Sequence, residues 1–327
     1  MNRHYSSLYA YFLLLACVGG CSTQTTSSHA NAPRGIIGVS LLTLENPFFK
    51  VIGDTIVEEG LQHGYQTLLV SADKDAAKQG NQVKDFLVNK VAAIVLSPCD
   101  SKSIVPVIRE ANESGVPVFT VDIPCDEPGV IIATQVATDN LGGGREAGRA
   151  MIEMLGPDGG NVAVLHFKQA ESCQLRVQGF REVIATHNNS GGSRIEIVTE
   201  LESGAAKDGG AKAMEDAIQA FPDLRGVFAI NDPAALGARA AIEKSAKTDQ
   251  IGIIGFDGQP EGKQAILDGK IYADPIQFPD RMGQEIVKAI VRYSRGELLP
   301  KKTLIPTTLY RKADAERDLT LDGGTTR

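Results

Sequence analysis

The chain has 327 residues, 43% hydrophobic and 22% charged, with 33 Lys and Arg against 40 Asp and Glu for a net charge of −7. These proportions exclude a wholly disordered chain and indicate a globular protein of about two domains. The negative net charge argues against a protein that binds DNA through a basic surface, so we expect no nucleic-acid partner.

The first residues have the features of a secretory signal peptide, predicted over 1–21. Arg3 precedes a mostly apolar stretch over 8–18, and small residues then lead to Cys21. The apolar stretch is shorter than the roughly 20 residues that cross a bilayer. The sequence VGGC at 18–21 is similar to a bacterial lipobox, which predicts lipid attachment at Cys21. Attachment at Cys17 and secretion without a lipid are the alternatives.

Polar residues follow the signal and predict a flexible tether over 22–34. Together the two segments predict a protein of the periplasm or another space outside the cytoplasm. Membrane contact would then be made only through the lipid anchor. A single acyl chain holds a protein weakly and reversibly, so stable anchoring would need more than one chain.

Strands and helices alternate along the rest of the chain. Strands are predicted over 35–42, 66–70, 92–96, 116–121, 130–134, 162–166, 194–199, 226–230, 252–256 and 271–275. Helices are predicted over 49–63, 76–89, 101–114, 139–155, 174–187, 206–220, 234–245, 261–267 and 281–295. Repeated strand–helix–strand units form parallel sheets covered on both faces. The number of strands exceeds one sheet and the alternation pauses near residue 135, which predicts an α/β protein with two doubly wound lobes.

The motifs of common enzymes and cofactor sites are missing. The first strand leads into TLENP, without the glycines of a dinucleotide-binding turn. There is no G-x-S-x-G nucleophile turn, and the five histidines lack the spacing of metal ligands. We therefore predict no cofactor, no metal site and no enzymatic activity.

Polar and aromatic residues follow the predicted strands at their carboxyl ends, where ligands bind in open α/β sheets. Planar Asn, Asp and Gln groups can each make paired hydrogen bonds to sugar hydroxyls, and apolar rings can cover sugar C–H faces. The candidates are Asn46, Phe48, Phe49, Asp122, Asn231, Asp257 and Gln277. The alternative is structural: helix capping for Asn231 and core packing for a phenylalanine ring.

Several segments, in this order and spacing, resemble the ribose-binding-protein family. They are ENPFFK, VFTVD, TDNLGGG, VFAINDPAALGA, IIGFDGQPEG and IQFPDRMG, within residues 35 to 312. Members are exported sugar-binding proteins of ABC import systems and share their fold with LacI-type sensor domains. The resemblance implies two lobes joined by three chain crossings: 35–138 with 278–306, and 139–277 with 307–315, leaving a tail over 316–327.

The resemblance also implies a function. The protein would capture a monosaccharide or related polyol by lobe closure and deliver it, as a monomer, to an ABC permease in the inner membrane. The family's ligand contacts carry over to the seven candidates named above, and Ser97, Gln174 and Arg176 are further candidates for ligand binding.

Four positions depart from the family pattern. Ser97 replaces an Asn, Ile123 replaces an Arg beside Asp122, Gln174 stands where a second Arg is expected with Arg176 two residues on, and Gly204-Ala205 replaces an aromatic. These changes imply that both ligand-facing arginines and one ring are absent, which would remove fixed donors and enlarge the pocket. We therefore expect a larger or differently oriented pentose, hexose, polyol or deoxy sugar rather than ribose itself.

Three other functions share some of these sequence features. A glycoside hydrolase could use Asp122 and Asp257 as its carboxylate pair. An accessory protein could signal a sugar or an autoinducer to a membrane receptor without import. A LacI-type repressor would need a helix-turn-helix before residue 35, where the signal and tether lie.

Three cysteines remain in the folded part of the chain, at Cys99, Cys125 and Cys173. A Cys99–Cys125 disulfide is one hypothesis, because both residues follow neighbouring strands and disulfides persist in exported proteins. Free or buried thiols are the alternative.

Overall fold

The computed structural model describes residues 34–321 of the chain. The predicted signal peptide, Cys17, Cys21 and the tether up to residue 33 lie outside this range. Among the described helices, none combines the length and the apolar character needed to cross a bilayer.

Twelve strands and ten helices alternate in the described range. The strands are β1 (Gly35–Leu41), β2 (Tyr65–Ser71), β3 (Ala93–Leu96), β4 (Val118–Val121), β5 (Ile132–Thr138), β6 (Gly160–His166), β7 (Ile195–Glu202), β8 (Leu224–Ala229), β9 (Gly252–Ile254), β10 (Ala273–Ile276), β11 (Lys302–Ile305) and β12 (Thr308–Arg311). The helices are α1 (Pro47–Gln62), α2 (Ala76–Val88), α3 (Val105–Glu113), α4 (Asn140–Leu155), α5 (Glu171–Asn189), α6 (Lys207–Ala220), α7 (Asp232–Lys244), α8 (Pro260–Leu267), α9 (Pro279–Ser294) and α10 (Lys312–Ala315).

The strands form two six-stranded sheets, one in each lobe. The order is β11-β5-β4-β3-β1-β2 in the first sheet and β12-β10-β9-β8-β6-β7 in the second. All pairings are parallel except that of β10 with β12. The chain crosses between the sheets three times, after β5, after β10 and between β11 and β12. The predicted class, two parallel-sheet lobes with a three-crossing connection, is confirmed.

Each sheet is buried on both faces, which explains its continuous apolar strands. In β3, Ala93 and Val95 pack with α1 and α9, whereas Ile94 and Leu96 pack with α2 and α3 on the opposite face. Successive residues of a strand point to opposite faces, so a strand covered on both sides needs an apolar residue at every position. The second lobe repeats the arrangement in β6.

The last described residues are docked on the second lobe, although the sequence suggested only a tail. Asp318 accepts hydrogen bonds from the Lys263 Nζ and the Tyr310 hydroxyl, each at 2.9 Å. The Lys263 Nζ lies 5.0 Å from the centre of the Tyr310 ring. Hydrogen bonds from Thr320 and Lys263 hold the pKa of Asp318 well below its ordinary value. The chain is therefore fixed in place through this turn.

Candidate functional site

Polar side chains from both lobes meet where the parallel strands end. Ser97 and Asp122 follow strands of the first lobe, Asn231 and Asp257 follow strands of the second, and Gln277 lies on the crossing after β10. All five are buried. Buried polar groups need partners, so their hydrogen bonds show what each side chain can offer a ligand.

The guanidinium of Arg176, from α5, is the cation of this cluster. Its Nη1 donates to the Asp257 Oδ1 at 2.9 Å and to the Ile230 carbonyl at 2.7 Å, while Nε donates to the Asn140 Oδ1 at 2.8 Å. Its guanidinium carbon lies 3.8 Å from the centre of the Phe256 ring. The side chains of Arg176 and Asp257 are only 5% and 7% exposed, so this is a buried ion pair.

The Asp257 carboxylate receives further donors. Gln277 Nε2 donates to Oδ1 at 2.5 Å, and Gln259 Nε2 donates to Oδ2 at 3.2 Å. The hydroxyl of Thr138, the last residue of β5, donates to Gln277 Oε1 at 2.6 Å. Burial raises the pKa of Asp257, and Arg176 opposes that rise. Through Gln277, Thr138 thereby connects the first lobe to the Arg176–Asp257 ion pair of the second lobe.

Asp122 lies close to these charges but has a vacant hydrogen-bonding position. Its Oδ1 is buried and has no hydrogen-bond partner among the described residues. Burial raises the pKa of Asp122 to about 6, with Arg176 opposing the rise and Asp257 adding to it. A carboxyl in this state gains most from a ligand that donates hydrogen bonds to it.

Both acidic residues have unusual backbone conformations. Asp122 has a φ of 64° and Asp257 a φ of 110°, in the region that side chains other than glycine rarely adopt. Such strained conformations are frequent at functional sites, and they persist where the surrounding structure holds them in place. Here the backbone N–H of Asp122 donates to the Val136 carbonyl, and that of Asp257 donates to the Pro275 carbonyl.

The two adjacent phenylalanines begin α1. Asn46 caps this helix by accepting from the Phe48 backbone N–H at 3.0 Å. The Phe48 and Phe49 rings meet edge to face with centres 5.3 Å apart. Both rings are buried and belong to the apolar core of the first lobe. Both rings therefore contribute to the core of the first lobe, as the core-packing alternative expected for one of them.

Asn231 has the helix-capping role that the sequence allowed. Its Oδ1 accepts from the Ala234 backbone N–H, and its Nδ2 donates to the Ala205 carbonyl, both at 3.0 Å. Asn231 thus holds the segment in which the family pattern has an aromatic ring. Ser97 differs, because its buried Oγ has no partner in the described structure.

The expectation that both lobes lack an arginine at the site is wrong for the second lobe. Gln174 is exposed and donates to the Lys168 carbonyl, whereas Arg176 is buried against Asp257. Two residues on a helix are about 200° apart, so they cannot face the same side. The second lobe therefore does supply an arginine to the cluster. At Ile123, the first lobe supplies an apolar, partly buried side chain, as the sequence states.

A second pair of acidic residues lies behind the cluster and was not predicted. Asp232 and Asp274 are 1% and 0% exposed. The Gln259 backbone N–H donates to one Asp232 oxygen at 2.6 Å. Burial and the neighbouring carboxyl raise the pKa of Asp232, and burial raises that of Asp274. The signal available in the sequence was Asp274 inside an otherwise apolar strand.

The cysteines in the described range are free thiols. Cys125 and Cys173 are buried and Cys99 is partly exposed. The Cys125 thiol donates to the Ser101 carbonyl at 3.2 Å. The hypothesis of a Cys99–Cys125 disulfide is therefore contradicted. Over residues 34–321, no His, Cys, Asp and Glu side chains gather in a group suited to a metal ion.

Known proteins share this fold and much of this sequence. A family described as the periplasmic binding protein domain matches residues 37–298. The ribose import binding protein of Bacillus subtilis is 33% identical over 300 residues, covering 91% of this chain and 94% of that protein. The D-apiose import binding protein of Actinobacillus succinogenes is 31% identical, with 89% and 93% covered.

A solved structure agrees with these sequence relatives. An ABC transporter solute binding protein from Mycobacterium smegmatis, with bound glycerol, superposes with a TM-score of 0.79 at 30% identity, covering 86% of this chain and 96% of that one. The family match over residues 37–298 includes every residue of the polar cluster. The chain belongs to the periplasmic binding protein domain family.

Proposed function

We propose that this protein is the solute-binding component of an ABC importer and that it captures a monosaccharide or related polyol between its lobes. The proposal is supported by the relatives named above, which are import binding proteins for ribose and D-apiose. It is also supported by the placement of polar groups from both lobes at one buried interface.

The observation that carries the proposal is the set of vacant hydrogen-bonding groups. Asp122 Oδ1 and Ser97 Oγ are buried and have no partner among the described residues. An unsatisfied buried polar group costs about 1–3 kcal/mol. Hydroxyl groups of a sugar can both donate and accept, so a bound sugar would satisfy an acceptor and a hydroxyl together.

Binding would proceed by hinge closure without chemistry. Asp122 belongs to the first lobe and Arg176 and Asp257 to the second, so a ligand that touches all three bridges the lobes. Such a ligand shifts the equilibrium toward the closed form by its extra affinity for that form. We propose that Phe48 and Phe49 line the pocket and that Asn46, Asn231 and Gln277 help to fix the hydroxyls. The loaded form would then dock on a permease.

The hydrolase alternative is weakened by the state of Asp257. Its carboxylate is engaged by Arg176, Gln277 and Gln259, which suits fixed hydrogen bonding better than proton transfer or nucleophilic attack. A general acid or nucleophile needs freedom to exchange a proton or form a bond during the reaction.

Asp122→Ala is expected to weaken sugar binding by roughly ten- to a hundredfold, since a charged hydrogen-bond acceptor is lost. D-ribose, D-allose and D-apiose are titrated calorimetrically at pH 8 against the wild type and the variant. The folded protein should not lose stability, because Asp122 Oδ1 has no partner to leave behind.

The exposed Asp54 provides a matched control for this titration, and Asp54→Ala should leave the dissociation constant unchanged. An unaltered dissociation constant in Asp122→Ala would remove Asp122 from the site. Failure of all three sugars to bind the wild type would count against the proposed sugar class.

We also propose that the protein acts outside the cytoplasm and is anchored by a lipid at Cys21. The signal-like sequence before Cys21 supports this proposal. Metabolic labelling with a palmitate analogue should tag the wild type and leave Cys21→Ala untagged and released from membranes. Cys17→Ala is the matched control and should stay tagged; tagging that persists in Cys21→Ala would contradict the assignment.

A further inference from the structure

A cavity of about 200 Å³ lies between the lobes, beside the polar cluster. Both lobes contribute to its walls, so the space, which is partly open to solvent, exists in this form only when they are together. It is therefore part of the closed form.

The cavity shares three wall residues with the polar cluster. Asp122, Thr138 and Asn140 line it. Asp122 carries the unpartnered Oδ1, Thr138 donates to Gln277, and Asn140 accepts from Arg176. A ligand held by the cluster can therefore extend into the cavity without crossing a protein wall.

The ten remaining lining residues are half aliphatic and half polar, the polar ones being Gln135, Asp139, Glu171, Ser172 and Lys302, but the surface that faces the space is mainly apolar. Pro124, Ala137, Leu141, Leu175 and Leu304 line the space, and none of its lining residues is aromatic. A second sugar ring would need a flat apolar face as well as hydrogen-bond partners, and no aromatic ring in the lining offers such a face. An alkyl group needs only apolar surface and matches the wall.

Some of the polar lining residues are already engaged by other groups; Asp139 accepts a hydrogen bond from the Gly142 backbone N–H at 2.9 Å. The Lys302 Nζ is paired with Asp126 at 2.5 Å, so this ammonium is already engaged. Gln135 Oε1 and Asp122 Oδ1 are both buried and have no hydrogen-bond partner among the described residues. Both are acceptors, which suits a hydroxyl donor at the junction between the sugar and its substituent.

We propose that the ligand is a glycoside with a small apolar aglycone, the sugar lying at the polar cluster and the aglycone in this cavity. The proposal rests on the proposed function and narrows its substrate class. Because both lobes wall the cavity, the aglycone stabilises the closed form in addition to the contacts made by the sugar.

The test compares each parent sugar with its n-butyl glycosides. D-ribose, D-allose and D-apiose and the two n-butyl anomers of each are titrated calorimetrically against the mature protein. We expect at least one n-butyl glycoside to bind about tenfold or more tightly than its parent, since burying a butyl chain removes apolar surface from water.

Leu304→Trp locates the aglycone. Leu304 is 51% exposed, so a larger ring there narrows the cavity without disturbing the core. The variant should abolish the advantage of the glycoside and change the affinity of the parent sugar by less than about twofold. Leu298→Trp is the matched control, because Leu298 is 95% exposed and does not line the cavity.

The outcomes separate the two proposals. A parent sugar that binds as tightly as, or more tightly than, its n-butyl glycosides overturns the glycoside assignment and leaves the sugar-binding function standing. A glycoside advantage that persists in Leu304→Trp also overturns it, since the aglycone would lie elsewhere. Failure of every parent and every glycoside to bind overturns the proposed function and this inference with it.

Discussion

Replacing Arg176 by Met is expected to lower the free energy of unfolding by about 3–5 kcal/mol at pH 8. Methionine has a similar length but leaves Asp257 as a buried carboxylate without its cation. It also removes the donors to the Ile230 carbonyl and the Asn140 side chain. The effect is large because the pair is buried, whereas an exposed pair contributes only about 0–1 kcal/mol.

The dependence on pH distinguishes this mechanism from simple loss of packing. Burial already raises the pKa of Asp257 above its ordinary value. Loss of the guanidinium raises it further, so the carboxyl takes up a proton as the pH falls and the burial penalty disappears. The deficit of Arg176→Met should therefore be largest at pH 8 and shrink toward pH 5.

Urea denaturation at both pH values measures the effect. Arg181→Met is the control, since its guanidinium is 56% exposed and pairs with Glu200 at the surface. The double variant Arg176→Met with Asp257→Asn should recover part of the lost stability, because it no longer buries a lone charge. A pH-independent loss without recovery in the double variant would show that packing, and not the ion pair, sets the cost.

The two-lobed architecture could be predicted because its signal is local. Strand β3 is apolar at every position, and β6 repeats this pattern over residues 162–165. Such runs identify strands covered on both faces wherever they occur in the chain. The strand-end positions of Asp122 and Asp257 followed from the same reasoning, since parallel strands end at one edge.

Strands β11 and β12 were not predicted, because their structure depends on distant partners. Each has only four residues, and Pro306 separates them. β11 pairs with β5, which lies more than 160 residues earlier in the chain, and β12 pairs with β10. Short edge strands carry little periodicity of their own, so a local pattern does not reveal them.

The sequence names Arg176 only as a further candidate, and its placement in the polar cluster could not be predicted for a geometric reason. Comparison with the family pattern placed the expected arginine at Gln174. The sequence alone does not show which side of α5 faces the second sheet. The burial of Val177 and Phe180 sets that side, and Arg176 shares it. The helix also begins three residues earlier than predicted. An alternating strand would have placed both residues on one face, but a helix separates them.

Asp274→Asn is expected to raise the free energy of unfolding at pH 8 by about 1–3 kcal/mol, because it removes a carboxyl that is costly to bury. Asp274 and Asp232 are neighbours and both are almost completely buried. Asp257 adds a further negative charge nearby. When both carboxyls are ionised, Asp232 Oδ1, Asp274 Oδ1 and Asp274 Oδ2 have no side-chain partner in the described structure, because a hydrogen bond between the two side chains needs a proton on one of them. An asparagine amide can donate to the Asp232 carboxylate without needing a shared proton.

The sign of the pH dependence follows from the direction of the pKa shifts. The folded pKa of each carboxyl lies above its ordinary value of 3.8. The protonated pair therefore contributes stability that is fully present below that pH and is lost as the pH rises through the folded pKa. The advantage of Asp274→Asn should accordingly be greatest at pH 8 and vanish or reverse near pH 4.

Chemical denaturation of the wild type and the variant at pH 8 and pH 4 measures this difference. Asp249→Asn, at an exposed position, is the matched control and should change stability by less than about 0.5 kcal/mol. A variant that is less stable than the wild type at pH 8 would mean that Asp274 is ionised and held by favourable contacts. The buried carboxylate behind Asp257 would then stabilise the fold.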